Sequence, residues 1–425
     1  MRIAMLSDNF YPELSGISDS ALTLAQELAR RGHSIHFYVP RYAGADYRRL
    51  NLPPGEVELG KTIGVSRLAS WRYPTGTRQG RVVLPSGLRW RRIREFQPDI
   101  LHVHLPFPVG LEGVIAAGRL KTPLVGTSHT PLTEFLRYSP IGGAWGGRMA
   151  ARYTAWFYNH CAFVSSPCEA IFQEMEACGF RAPHRVIPNP IRLDVFHPLP
   201  DRPRLKRAFG FSESTILYAG RLAPEKHLDL IVRAVASLAS QAPGILLALL
   251  GSGSAEGDLR SLCRSLGVAE RVRFLGYVPD LATVAEVYNA SDVFAIPSTA
   301  ETQSLAAMQA MACGLPVVGA RSWGLREYIT EANGLLVDPG DEHGLREALA
   351  SLLRRPDARL RLGNGGRESV ARFSAFAIAA EWEEVYRGVI QTHGGGMLFR
   401  RDGCDTAGAS ADGCIDQAVR RTPCP

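Results

Sequence analysis

Short apolar runs alternate along the chain with longer segments whose apolar positions recur at helical spacing. In the first part, the runs at 3–6, 35–39, 100–103 and 124–126 are typical of buried strands in a parallel sheet. The segment 18–31 lies between the first two runs and gathers its apolar residues on one helical face. This alternation predicts a doubly wound α/β sheet.

The alternation stops at a proline-rich, charged stretch at 197–203 and then starts again. Strands are predicted at 216–218, 245–250, 293–296 and 316–318, and helices at 228–240, 281–289 and 304–313. A second doubly wound domain therefore follows the first, and ligands are expected in the cleft between them.

The sequence predicts five segments in order. The first domain spans 1–196, a linker 197–212 and the second domain 213–371. A helix within 372–392 then crosses back to the first domain, and the polar composition of 393–425 is typical of a disordered tail. The chain contains no run apolar enough to span a membrane, and its N-terminus lacks the pattern of a signal peptide, which favours a cytoplasmic protein.

Composition agrees with a two-domain globular protein. The chain has 425 residues, of which 46% are hydrophobic and 21% are charged. This length exceeds what usually folds around a single hydrophobic core. Its eight cysteines include no Cys-x-x-Cys pair, so we expect reduced thiols rather than zinc or redox chemistry.

Positive charge is concentrated in the first half. Residues 1–200 carry 23 Lys and Arg against 15 Asp and Glu, and 61–94 contains nine basic residues and no acid. Such a run is usually a solvated face; the alternatives are an anionic membrane surface and a nucleic-acid surface. No nucleic-acid module accompanies the run, so the membrane is the better alternative.

Basic and aromatic residues also recur at helical spacing in 145–156, as in helices that lie at a membrane interface. The set is Trp145, Arg148, Met149, Arg152, Tyr153 and Trp156. A core helix with a basic outer edge fits the same pattern.

Candidate chemistry follows the predicted strands, at the sheet edge where open α/β sheets bind ligands. Gly16 precedes a helix whose N-terminus favours an anion, although such a glycine is often only a turn. His129 stands between two threonines and can bond a hydroxyl, although most isolated histidines are structural. Arg221 and Lys226 are typical of a diphosphate clamp, with a solvated loop pair as the alternative.

Two further loops complete the candidate site. Gly251 and Gly253 form a short glycine loop, which is a weak signal by itself. Glu301 precedes Ser304 and Leu305, whose backbone amides enter a helix and form an anion nest.

Together these residues resemble the GT-B glycosyltransferases of family 4, over nearly the whole chain to about residue 390. The segment 220–226 is similar to the family's G-R-L-x-x-E-K loop, and 291–298 to its A-D-V-F-x-x-P-S strand. The segment 301–318 is similar to the E-x7-E block with its helix, and 324–327 and 334–337 resemble later signatures. The resemblance implies two Rossmann-like domains with a cleft between them.

The resemblance also implies a retaining, metal-independent transfer of a sugar from a nucleoside diphosphate, with no cofactor. The expected catalytic residues are His129, Glu301, Arg221 and Lys226. The two cations would hold the diphosphate leaving group, Glu301 would hold the donor sugar, and His129 would reach the sugar across the cleft.

Donor-binding roles follow in the same way for Gly16, Gly251, Gly253, Ser304, Leu305 and Gln309. One of these positions departs from the family pattern, because Gln309 stands where the second Glu of E-x7-E is expected. An amide oxygen still accepts a hydrogen bond from a ribose hydroxyl, but more weakly than a carboxylate does.

The first domain is most similar to the branch of the family that glycosylates membrane lipids, such as monoglucosyl-diacylglycerol synthases and lipid mannosyltransferases. The cues are 15–20, 104–107, His129-Thr130 with Tyr138 nearby, and 156–159. This implies transfer of a hexose from a UDP-glucose or GDP-mannose type of donor to a lipid such as diacylglycerol, by a protein peripheral on the cytoplasmic face. A soluble acceptor (polysaccharide or small metabolite) and a non-catalytic binding protein remain alternatives, and the oligomeric state is open.

Overall fold

Two sheets of parallel strands form where the apolar runs predict buried strands. The computed structural model describes residues 1–13, 15–49, 59–72, 80–130 and 144–398. The strands of the first half are β1 (Arg2–Leu6), β2 (Ser34–Pro40), β3 (Ile63–Leu68), β4 (Trp71–Arg72), β5 (Arg81–Val82), β6 (Ile100–Val103), β7 (Leu124–Thr127), β8 (Phe163–Ser166) and β9 (His184–Val186). Those of the second half are β10 (Ser214–Ala219), β11 (Ile245–Leu250), β12 (Val272–Gly276), β13 (Val293–Ile296), β14 (Val317–Ala320) and β15 (Gly334–Val337).

Each sheet has the strand order of a doubly wound fold. The first runs β3-β2-β1-β6-β7-β8-β9 and the second β12-β11-β10-β13-β14-β15. Neighbouring strands are parallel throughout both sheets, whereas β4 and β5 form a separate antiparallel ribbon. The predicted fold class of two Rossmann-like α/β units is confirmed.

Helices connect the strands. In the first half they are α1 (Gly16–Arg30), α2 (Gly44–Arg49), α3 (Trp90–Phe96), α4 (Pro108–Leu120), α5 (Ala144–Tyr158) and α6 (Glu169–Glu176). In the second half they are α7 (Arg202–Phe209), α8 (Leu228–Leu238), α9 (Glu256–Ser265), α10 (Leu281–Asn289), α11 (Leu305–Ala312), α12 (Leu325–Tyr328), α13 (Glu342–Arg354), α14 (Pro356–Val370) and α15 (Ala375–Leu398). No helix in the described ranges has the length and apolar composition needed to cross a bilayer.

The first helix begins two residues before the predicted start at 18. Ser15 caps it, because its hydroxyl oxygen accepts a hydrogen bond from the backbone N–H of Ile17 at 3.2 Å. The cap places Gly16 in the first turn of α1, at the exposed end that points into the cleft.

The last helix packs on the first sheet, although it follows the second in sequence. Trp382 and Tyr386 are buried in a cluster with residues of β1, α1 and β2. Glu383 accepts a hydrogen bond from Arg31 at 2.7 Å, and Tyr386 OH lies 2.7 Å from His102 Nδ1. The helix runs to Leu398, beyond the predicted end at 392, and the rest of the predicted tail lies outside the described residues.

The basic stretch is divided between the sheet and the surface. Arg67 lies on β3, with its guanidinium over the Phe10 ring at 5.2 Å. Arg81 pairs with Asp46, and Arg89 lies 3.5 Å from the buried carboxylate of Glu112. The simple expectation of one solvated basic face is therefore wrong for these three arginines, because internal carboxylates and rings engage them.

The other basic residues of the stretch lie mostly at the surface. Arg91, Arg92 and Arg94 are exposed on α3, whereas residue 78 lies outside the described residues.

The five cysteines of the described ranges are free thiols, four of them buried, as predicted.

Candidate active site

Both sheets reverse their winding direction at one point, and polar loops follow the strands there. In the first sheet the reversal lies between β1 and β6, and in the second between β10 and β13. The loops at 220–227 and 297–304 therefore lie side by side at the edge where doubly wound sheets bind ligands. The structure thus brings Lys226 and Glu301 together, although 75 positions separate them in the chain.

Lys226 and Glu301 join these two loops. Lys226 Nζ donates a hydrogen bond to Glu301 Oε1 at 2.5 Å, and both side chains are 15% exposed. Burial by itself would raise the pKa of Glu301, but the charge and hydrogen bond of Lys226 outweigh it and lower the pKa below its usual value. Glu301 is therefore ionised at neutral pH and holds the ammonium group of Lys226 in place.

Arg221 is placed on the same loop, more exposed than Lys226. Its guanidinium forms an ion pair with Glu225 at 2.7 Å, and its side chain is 38% exposed. Its backbone carbonyl accepts a hydrogen bond from Tyr218 OH at 3.0 Å, which fixes the loop above β10. The structure brings Arg221, Lys226 and Glu301 to one place, as their pattern in the sequence predicts.

The glycines at 251 and 253 pack beneath this loop. A Cβ at Gly251 would lie 1.9 Å from the carbonyl oxygen of Gly220, and one at Gly253 would lie 2.1 Å from that of Leu222. Leu222 N–H also donates to Ser252 O at 3.0 Å. The structure therefore gives Gly251 and Gly253 a bracing contact with the Arg221 loop, and their expected donor contact stays a prediction.

Ser304 and Leu305 begin α11 at the second switch point. Ser304 adopts a positive φ of 59° and caps the helix, its hydroxyl accepting from Ala307 N–H at 3.3 Å. Leu305 Cδ1 lies 3.6 Å from the position of a Cβ built on Gly16. The N-termini of α1 and α11 therefore meet across the cleft, and both favour an anion between them.

His129 follows β7 in the first half and is buried. Its Nε2 lies 3.1 Å from His104 Nδ1, and its backbone carbonyl accepts a hydrogen bond from Thr302 Oγ1 at 2.9 Å. Burial lowers the pKa of His129 to about 4, against a hydrogen bond with Asn189 that raises it. The imidazole is therefore neutral at pH 7, beside the loop that carries Glu301.

Gln309 lies on α11, half-buried, and its Oε1 accepts a hydrogen bond from Tyr288 OH at 3.2 Å. Tyr288 is fully buried. The buried hydroxyl fixes the orientation of the amide group, whereas the expected contact with a ribose stays a prediction.

Glu13 is a site residue that the sequence reasoning did not single out. It lies in the loop between β1 and α1, and its Oε2 accepts a hydrogen bond from Tyr42 OH at 2.8 Å. Burial raises the pKa of Glu13 to about 7, against the Tyr42 hydrogen bond and the positive charge of Arg221, which both lower it. Its position after a strand at the switch point was the available signal.

His104 was also missed as the neighbour of His129, and Tyr277 as a contact between the two halves. His104 follows β6, the other strand of the first switch point, and is buried against His129. Tyr277 follows β12 and packs from the second half against Tyr42 and Tyr47 of the first.

Within the described residues, no three His, Cys, Asp or Glu side chains meet as metal ligands. The expected independence from a metal stays a prediction.

Comparison with known families accounts for most of the chain. The family described as Glycosyltransferase Family 4 matches residues 14–195, and the family described as Glycosyl transferases group 1 matches residues 201–369. The two matches divide at the predicted linker.

Two curated relatives match over most of their own length. The alpha-monoglucosyldiacylglycerol synthase of Streptococcus pneumoniae is 26% identical over 374 residues, which cover 84% of this chain and 79% of that protein. The GDP-mannose-dependent alpha-mannosyltransferase of Mycobacterium tuberculosis is 30% identical over 367 residues, which cover 83% of this chain and 88% of that protein.

Among solved structures, Anabaena HepE in complex with UDP and glucose superposes with a TM-score of 0.73 at 21% identity. The alignment covers 91% of this chain and 99% of that one. At this identity the likeness shows the shared fold.

Proposed function

Because the chain belongs to the glycosyltransferases of group 1 and family 4, we propose that it transfers a hexose from a nucleoside-diphosphate sugar to a membrane lipid. The transfer retains the anomeric configuration and uses no metal ion. The observation that carries the proposal is the convergence of Arg221, Lys226 and the N-terminus of α11 at one switch point. A diphosphate needs this concentration of positive charge as it leaves the sugar.

The donor sugar lies beside Glu301 in this account, with its diphosphate between the two cations and the helix N-termini. Lys226 acts as a point charge and Arg221 as a bidentate partner of phosphate oxygens. Glu301 accepts hydrogen bonds from sugar hydroxyls with the oxygen that Lys226 leaves free. His129 contributes a neutral imidazole from the other side of the cleft.

The donor is a UDP-glucose or GDP-mannose type of nucleotide sugar. Relatives named for monoglucosyldiacylglycerol and for GDP-mannose support these two classes. A screen of UDP- and GDP-sugars against a lipid extract, read by mass spectrometry, identifies donor and acceptor together. Transfer to a soluble acceptor alone would favour the second candidate, an enzyme that elongates a polysaccharide or modifies a small metabolite.

Helix α5 supports the membrane part of the proposal. Trp145, Met149 and Trp156 lie on one exposed face with Arg148 and Arg152, and Trp145 is 68% exposed. The inward face carries small and aromatic residues: Ala150, Ala151, Thr154, Ala155, Phe157 and Tyr158. The two tryptophans are therefore not core residues, which favours the interfacial interpretation over the core-helix one.

A second exposed apolar segment lies beside the same part of the fold. Leu84 and Leu88 are more than half exposed, and the loop between them is fixed to α4 by hydrogen bonds from Ser86 and Gly87 to Glu112. Tyr153 of α5 donates to Pro106 O at 2.7 Å, just before α4 begins. Both apolar segments therefore flank the first turns of α4, with the arginines of α3 alongside.

We expect the protein to cosediment with anionic liposomes at low salt and to be partly released as salt rises. Each exposed arginine contributes about 1 kcal/mol near an anionic leaflet, and salt screens that contribution. Replacing Arg91, Arg92 and Arg94 together by glutamine weakens binding mainly at low salt, whereas Trp145→Ser with Trp156→Ser weakens it at all salt concentrations. Arg89 is left intact because its loss would leave the buried Glu112 carboxylate without its cation.

Leu360→Ser is the matched control, since Leu360 is 68% exposed on α14 in the other half of the molecule. Binding that is unchanged in both sets of variants, or absent at low salt, would contradict the membrane proposal. The soluble-acceptor enzyme would then be the better account.

The apparent KM for the donor rises with pH in this account, because Glu13 ionises in the cleft. Its pKa of about 7 means that Glu13 is neutral below pH 7 and negatively charged above it. The charged form repels the diphosphate, so KM increases by up to about 10-fold from about pH 6 to about pH 8. Glu13→Gln keeps an acceptor for Tyr42 but does not titrate, and its profile is flatter.

The comparison with Glu13→Gln is necessary because a second buried acid titrates nearby. Burial also raises the pKa of Asp8 to about 7, and the charge of Glu13 adds to that shift. The wild-type profile therefore reports both carboxyl groups as a coupled pair, and the difference between the two proteins shows how much of it requires the Glu13 carboxylate, directly or through Asp8. Superimposable profiles would show that Glu13 lies too far from the donor to affect it.

A further inference from the structure

Glu327 of α12 links the second half of the molecule to the first. Its Oε2 accepts a hydrogen bond from the backbone N–H of Glu169 at 2.9 Å, and its Oε1 accepts one from Ala170 at 3.2 Å. These two amides open α6, and the side chain of its own N-cap residue, Cys168, accepts no hydrogen bond from them. The first amides of a helix usually donate to the side chain of its N-cap residue. In α6 they donate instead to Glu327, which lies in the other half of the molecule.

The segment that carries Glu327 packs directly on the donor loop. Gly324 N–H donates to Glu301 O at 3.0 Å, and a Cβ at Gly324 would lie 1.5 Å from the carbonyl oxygen of Thr302. The same Cβ would lie 3.0 Å from Cys168 Cβ, and Tyr328 OH donates to Pro167 O. The donor loop and the start of α12 are therefore in direct backbone contact, with no space for a side chain at position 324.

The donor loop also contacts the first half on its other side. Thr302 Oγ1 donates to the carbonyl of His129 at 2.9 Å, and Gln303 Oε1 accepts from Asn189 N–H at 2.6 Å. Glu301 is thus flanked on one side by the contact of Thr302 with the β7 loop. On its other side lies the contact that Glu327 makes with α6. A rotation of one half against the other breaks the Glu327 hydrogen bonds and moves His129 relative to Glu301.

We propose that Glu327 is a positioning residue for sugar transfer: by capping α6 across the cleft, it holds the two halves in the orientation in which Glu301 and His129 face the same sugar. The proposal rests on the proposed function, because it assigns the donor sugar to Glu301. Glu327 itself acts through the two halves and is not part of the donor site. A carboxylate suits this position because it satisfies two amides and opposes the positive end of the helix dipole.

Glu327→Ala and Glu327→Gln test this proposal against the control Glu331→Gln. Glu331 is an exposed acid four residues further on, so the control makes the same change of charge outside the contact. We expect kcat for transfer to fall by about 10-fold in Glu327→Ala, because the free energy of a helix cap, which here favours the aligned orientation of the two halves, corresponds to a factor of that order. Glu327→Gln keeps one acceptor oxygen and gives a smaller loss.

Three further measurements test whether Glu327 positions the two halves or only stabilises the fold. We expect the dissociation constant for UDP or GDP to change less than kcat, since Arg221, Lys226 and Gln309, the residues assigned to the diphosphate and the ribose, lie in the second half. We also expect a larger radius of gyration in small-angle X-ray scattering, because the orientation is no longer fixed, and only a slightly lower Tm than in the control, because one helix loses its cap.

A kcat in Glu327→Ala equal to that of the control, or an unchanged radius of gyration, would overturn the proposal. So would a loss of nucleotide affinity as large as the loss of kcat, because Glu327 would then act on the donor site itself. If Glu327→Ala does not fold, Glu327→Gln decides by the same criteria. A wild-type protein that binds neither UDP nor GDP would refute the proposed function instead, and the scattering comparison would still decide the role of Glu327.

Discussion

Replacing Lys226 by alanine lowers the rate of sugar transfer by at least about 100-fold, the range seen when a preorganised electrostatic partner of a developing charge is lost. Its ammonium group lies 2.5 Å from Glu301, in a site where both side chains are 15% exposed. Water therefore replaces the lost charge poorly as negative charge builds on the leaving diphosphate. Arg221→Ala gives a loss of the same order, because the guanidinium group of Arg221 lies on the solvent side of the same loop.

Arg233→Ala is the matched control for both variants. Arg233 lies on α8, just beyond the same loop, is 43% exposed and pairs only loosely with Asp229 at 3.9 Å. Turnover in this control should equal that of the wild type, and circular dichroism should show all three variants folded. Near-normal turnover in both Lys226→Ala and Arg221→Ala would rule out the diphosphate clamp.

Glu301→Gln has the second large effect, with a loss of transfer of about 100-fold and a loss of stability of about 3 kcal/mol. Two causes act together. The glutamine no longer neutralises Lys226, so that a largely buried ammonium group loses its counter-charge. It also offers the sugar a neutral acceptor in place of a carboxylate, whose charge strengthens each hydrogen bond.

The double variant Lys226→Met with Glu301→Gln separates stability from chemistry. Both charges are absent from it, so much of the lost stability returns, as is usual when a buried pair is replaced by neutral side chains. Transfer stays as low as in the single variants, because the diphosphate lacks its cation. Tm and kcat should therefore move independently across the set; a double variant that regains activity along with Tm would show that the pair is structural.

In the second half, the sequence was sufficient to predict the charged residues that follow strands at the switch point. Arg221, Lys226 and Glu301 were predicted from position and side-chain type, because parallel strands end at one edge and their loops meet there. The strand order itself was needed to place Glu301 beside Lys226, since 75 positions separate them. Local pattern indicated each loop, and the pairing of β10 with β13 joined them.

The contacts across the cleft could not be predicted in this way. Glu327 stands in a segment that resembles a family signature, but its partners are backbone amides of α6, which carry no sequence signal. Glu13 depends on Tyr42, a residue outside every motif, and on the burial that raises its pKa. The Glu327 contact arises from the way the two sheets face each other, whereas Glu13 and Tyr42 lie on two loops of the first half that follow neighbouring strands.

The basic stretch shows the converse limit. Charge pattern correctly indicated that the first half is basic, but it could not show that β3 would place Arg67 against Phe10. Nor could it show that Arg81 would pair with Asp46, from a different part of the chain. Within the described part of the stretch, the arginines of α3, together with Lys61 and Arg72, remain as the exposed residues that the pattern suggested.

The central claim is most directly tested by incubating the purified protein with UDP-glucose or GDP-mannose and anionic liposomes that contain diacylglycerol, in the presence of EDTA. We predict a glycosylated lipid in the mass spectrum, with the same anomeric configuration as the donor by NMR, and at least about 100-fold slower formation of it with Lys226→Ala. A product of inverted configuration, a reaction that EDTA abolishes and Mg²⁺ or Mn²⁺ restores, or equal product from Lys226→Ala would contradict the account.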